Sequence, residues 1–136
     1  MDQPIPESLE GETNDSVLAY LGDLSAHSDV SEALEGAIAP LGDVQSYCPD
    51  ASRYRYRVVA TRGVVFAFAV GMGTIGFRLP PEFKDRALAS GAESCSQAGR
   101  DWAAITVFRA DWPVPDLEFW ARQAYVYARY GAESGT

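Results

Sequence analysis

The run RYRYR, Arg53 to Arg57, alternates guanidinium and phenol side chains. On an extended strand that alternation places Arg53, Arg55 and Arg57 on one face, and Tyr54, Tyr56 and Val58 on the other. A cationic stripe of this kind suits phosphates or carboxylates, because a guanidinium fork can bind two oxygens at once. The same stripe would serve as a solvated face, or as a partner for acidic helices. Arg78 and Arg100 adjoin later apolar runs, and Trp102 opens the second of them. The candidate ligand-binding residues are therefore Arg53, Arg55, Arg57, Arg78, Arg100 and Trp102.

A second pattern, GMGTIG at Gly71–Gly76, matches the dinucleotide-binding fingerprint literally. That fingerprint works by turning a strand into a helix whose N-terminus receives a pyrophosphate. Here FRLPP follows Gly76, a β pattern stopped by two prolines, so no crossover helix can begin there. The expected role is a hairpin bend at Gly71 and Gly73, with Gly76 relieving crowding inside the next strand.

The remaining chemistry is sparse. Cys48 and Cys95 stand without a C-x-x-C, and His27 is the lone histidine, which argues against His-based zinc sites and hydrolytic triads. Buried thiols are the simplest reading of the cysteines. Asp101 and Asp111 bracket an apolar run, but their spacing does not make them an acid/base pair. Trp102, Trp112, Trp120, Tyr125 and Tyr127 suit either a core or a ligand-lined pocket. No catalytic constellation, cofactor site or metal-ligand cluster is expected.

These residues need a scaffold, and the totals bound it. The 136 residues, 47% hydrophobic and 22% charged, suit one globular domain. Neither a charged n-region nor an apolar run of about 20 residues occurs, so a cytoplasmic protein without a membrane span is expected. Net charge is −8, with −11 in residues 1–52 and +3 in the remainder. The acidic part would either cover the arginine-bearing sheet or form a solvated tail and helix surfaces.

Periodicity predicts the elements. Residues 1–14 read as a flexible acidic tail, 15–131 as a single domain, and 132–136 as a short C-terminal tail. A first helix from Asp15 places Val17, Tyr20, Leu21 and Leu24 on one face, with Asn14 or Asp15 as cap. A second, from Asp29 with Ser28 as cap, buries Val30, Leu34, Ala37, Ile38 and Leu41. Strands follow at Arg53–Ala60, Val64–Val70 and Thr74–Leu79, the first two joined by a T-R-G turn. Phe66 and Phe68 are expected on one face of the second strand, with Val65, Ala67 and Ala69 opposite. A helix at Glu82–Ser90, a loop, a strand at Trp102–Phe108 and a helix at Leu117–Tyr130 complete the order ααβββαβα. The class is α+β: an antiparallel β-meander plus a fourth strand, with helices packed mainly on one face.

The segment from GVVFAFAV through GFRLPPEFKDRALAS to GRDWAAITVF and VPDLEFWARQAYVYA, about residues 63–130, resembles the MmcQ/YjbR-like family of small bacterial proteins. Pro81-Glu82, Arg100, Trp102, Thr106-Val107, Pro115-Asp116 and Tyr125 carry the likeness. The TfoX N-terminal domain is a second candidate. The chain departs from the family pattern at Asp101, where the family has His, at Arg78 for Lys and at Ala103 for Asn. The resemblance implies a compact α+β fold, with nucleic-acid binding proposed for some members.

The expected function is a non-enzymatic binding or regulatory module for a protein or small anionic ligand, acting as monomer or homodimer. Nucleic acid is a rival partner, disfavoured by the net charge. An acidic inhibitor mimicking nucleic acid is another.

Overall fold

The computed structural model describes residues 12–22, 24–48, 56–107 and 116–131. Arg53, Arg55, Asp111, Trp112, residues 1–11 and the 132–136 tail lie outside them. The elements are α1 (Glu12–Leu21), α2 (Ser28–Ile38), β1 (Gln45–Tyr47), β2 (Arg57–Thr61), β3 (Val64–Val70) and β4 (Thr74–Arg78). Then come α3 (Pro81–Ala89), β5 (Glu93–Ser94), β6 (Trp102–Thr106), α4 (Leu117–Val126) and a π-helical turn (Tyr127–Gly131) that prolongs α4. The class is α+β.

The strands form one antiparallel sheet in the order β1-β2-β3-β4-β6-β5. β1 and β5 are additions to the expected strands. With three and two residues they carry too little alternation to be seen in a sequence.

Both faces of the sheet are covered. On one, Val30, Leu34, Ala37 and Ile38 of α2, Ala87 of α3 and Ala121 and Ala124 of α4 pack on Val59, Ala67, Ala69, Ile75 and Phe77. On the other, Val17 and Leu21 of α1 join Val58, Val65, Phe68, Cys95 and Trp102. Three helices thus share one face and α1 takes the other. Burial on both sides explains the unbroken apolar run of β3.

Phe66 and Phe68 do not share a face as alternation predicts. Phe66 lies in the first core and Phe68 in the second. The pairing steps from Val59↔Ala67 to Ala60↔Val65, so Phe66 is the extra residue of a β-bulge. The bulge sends Phe66 toward α4, where it meets Tyr125 edge-on at 5.9 Å.

The turns follow residue chemistry. Arg62 and Gly63, with φ of 51° and 76°, close β2 to β3 through a two-residue loop whose twist matches the strands. Gly71 (φ 68°) opens the β3–β4 bend, and β4 runs on through Gly76 as strand. The strand-to-helix turn of a dinucleotide site is not formed. Gly76 faces Phe68 across the ladder, and a Cβ there would lie 2.2 Å from the ring. That ring sits between Tyr20 and Trp102, at 5.8 and 5.2 Å.

Helix starts differ from expectation. α1 begins at Glu12, inside the expected tail, and Asn14 does not cap it. Instead the buried Asn14 amide donates to Gly63 O at 2.8 Å and accepts from Val65 N at 2.9 Å, pinning α1 to the hairpin. α1 stops at Leu21, with Gly22 at positive φ, so Leu24 is left exposed. His27, not Ser28, caps α2: its Nδ1 accepts from Asp29 N at 3.1 Å. His27→Ala is expected to cost about 1 kcal/mol, measurable by urea unfolding.

Candidate functional site

The arginine stripe is dispersed by the fold. Arg57 is 7% exposed, and its Nη1 donates to Ser46 Oγ at 2.7 Å and pairs with Glu35 of α2 at 3.0 Å. It joins sheet to helix and is not presented to a ligand, because β2 is covered on both faces. Trp102 is likewise core, buried against Phe68. Arg53 and Arg55 lie outside the described residues. Of the six candidates, Arg78 and Arg100 remain near a surface.

They meet at one end of the sheet. Cross-strand pairing puts the β2–β3 turn, the end of β4 and the entry to β6 at that end, since Ala67 faces Phe77 and Arg78 faces Trp102. The π-helical turn crosses above them. Tyr130 lies 5.9 Å from the Arg62 guanidinium, and the Tyr127 ring 4.6 Å from that of Arg78. Arg129 stacks on Tyr125 at 5.2 Å and donates to Thr61 Oγ1 at 2.8 Å and Asp43 Oδ2 at 3.1 Å. Tyr125 Oη donates to Gly42 O at 2.6 Å. Hydrogen bonds from Arg129 and Gln45 hold the Asp43 carboxyl below its ordinary range.

At the centre are Arg78, Asp101 and Tyr127. Tyr127 Oη donates to Asp101 Oδ2 at 3.0 Å, and Arg78 Nη2 stands 3.8 Å from the same oxygen. Burial, then the Asp101 charge, pushes the Tyr127 hydroxyl above its usual value, so it remains a donor at neutral pH. The Arg78 side chain is 19% and the Asp101 side chain 21% exposed. The Arg78 guanidinium donates no hydrogen bond to any described residue, and Asp101 Oδ1 accepts none from them. Arg100 is exposed beside them, its carbonyl accepting from Lys84 Nζ. Arg62, Arg78, Arg100 and Arg129 therefore face two carboxylates, Asp43 and Asp101, at this end.

No known protein family, curated protein or solved structure matches the chain.

Such a corner can hold an anion by charge and by forked hydrogen bonds. Among the described residues no group of three or more His, Cys, Asp or Glu is placed to hold a metal ion, and no helix is long and apolar enough to cross a membrane. Sequence reasoning missed Arg62, Arg129, Asp43 and the role of Tyr127. The available signal was the cluster YVYARY at the end of the last helix, in which three tyrosines accompany one arginine. Helical periodicity assigns Tyr127 to the core face, and a π-helical turn changes which residues can reach the sheet end.

Proposed function

We propose that this chain is a non-enzymatic, cytoplasmic binding module whose ligand is a small anion or the anionic part of a protein, held at the corner formed by Arg78, Arg100 and Tyr127. One observation carries the reading. The Arg78 guanidinium is braced on a ring and stands 3.8 Å from Asp101 Oδ2, yet it donates no hydrogen bond to a described residue. Its donors stay open to a ligand, and a guanidinium fork is matched in geometry and charge by a carboxylate. The MmcQ/YjbR-like resemblance belongs to the same reading, with Arg78 and Arg100 standing at motif positions. Nucleic acid fits less well, because Arg57 is engaged with Glu35 and phosphate affinity depends on neutralising charge.

The test is a titration of isotope-labelled protein with acetate and with a glutamate-rich peptide, followed by NMR. Saturable shifts at residues 76–79, 100–102 and 127–130, weakened about tenfold in R78Q, are expected. Small shifts scattered evenly over the surface would refute the reading.

A further inference from the structure

Resting on that reading, we infer that the corner recognises a carboxylate whose α-carbon also bears a hydrogen-bond donor: an α-hydroxy, α-amino or α-amido acid. The corner holds a pair of opposite charges that do not satisfy each other. Arg78 Nη2 and Asp101 Oδ2 stand 3.8 Å apart, too far for a hydrogen bond. Tyr127 holds Asp101 by Oδ2 alone, and its ring braces the guanidinium of Arg78. Each partner therefore keeps hydrogen-bonding capacity of opposite sense, Arg78 as donor and Asp101 Oδ1 as acceptor.

A ligand that is only an anion satisfies Arg78 but sets its charge beside the Asp101 carboxylate. A phosphate dianion suffers that repulsion most strongly. A carboxylate with a donor one carbon away satisfies both: its oxygens accept from Arg78, and its hydroxyl, ammonium or amide N–H donates to Asp101. The exposed Arg100 adds a second positive charge close enough to act on the Tyr127 hydroxyl. The chemistry has two natural sources, a free small acid or the C-terminal residue of a polypeptide, whose own amide N–H is the donor.

Glycolate, N-acetylglycine, acetate and inorganic phosphate distinguish these outcomes in NMR titrations of the full chain. Glycolate is expected to bind about tenfold more tightly than acetate, since a hydrogen bond to a charged group is gained. In D101N that preference should shrink to about twofold or less, and phosphate should gain affinity. R78K, which keeps the charge but loses the fork, should weaken glycolate and acetate alike. N-acetylglycine binding more tightly than glycolate would identify the polypeptide source, and the reverse order the free acid. Equal binding of glycolate and acetate, both lost in R78Q, would overturn this inference and leave anion binding intact. Tighter binding of phosphate than of glycolate would overturn it as well. Absence of any saturable shift would remove both proposals.

Discussion

Gly76→Val will lower the unfolding free energy by about 3 kcal/mol, at the upper end of what overpacking a core costs. Even the first atom of the new side chain meets the Phe68 ring at 2.2 Å. The ring has no room to retreat, because Tyr20 and Trp102 flank it and its burial is complete. Urea unfolding gives the number, and a double-mutant cycle gives its cause. Phe68→Ala alone should cost about 3 to 5 kcal/mol. If the clash is the mechanism, adding Gly76→Val to Phe68→Ala will cost far less than it costs alone. Strict additivity would show that Gly76 matters for backbone freedom and not for the ring above it.

Asn14→Leu is expected to be nearly as damaging, at about 2 to 4 kcal/mol. The amide serves Gly63 O and Val65 N together, and its loss strands one buried and one half-buried backbone group, the buried one at roughly 1 to 3 kcal/mol. N14D is more informative. The introduced carboxyl can accept from Val65 N but must carry a proton to donate to Gly63 O. Its folded-state pKa will therefore lie above the unfolded value of about 3.9. Stability of N14D will be greatest below that pH and will fall as pH rises through the folded value. A pH-independent loss would mean that Asn14 contributes by shape alone.

The parts of the fold that were legible in the sequence are those that a repeating pattern or a special residue dictates. The face of α2, with Val30, Leu34, Ala37 and Ile38, follows from helical spacing alone. The turn at residues 61–63 and the bend at Gly71 follow from glycines that accept positive φ, and the two prolines after β4 mark its end. The bulge at Phe66 was not legible, because a one-residue slip in pairing leaves no trace in the apolar run VVFAFAV. Asn14 escaped for a different reason. Its partners are 49 and 51 residues away, and a helix-capping residue looks the same whether or not it caps.

The candidate site was less legible than the fold. Alternation correctly places Arg57 opposite Tyr56 and Val58, but it cannot say that α2 brings Glu35 over that face. The remaining pair, Arg78 and Arg100, stands out in the sequence only as charges beside apolar runs. Their convergence with Tyr127 depends on how α4 crosses the sheet, which only tertiary packing decides.

A sheet sealed above and below can grow only sideways. Among the described residues its two borders are a rung of three residues at Gln45–Tyr47 and one of two at Glu93–Ser94. So few backbone groups give a neighbouring molecule little to zip onto, and Glu93 adds a like-charge deterrent wherever identical borders meet. Among the described residues, a sheet this rich in β-branched and aromatic side chains thus offers little edge for fibrous stacking.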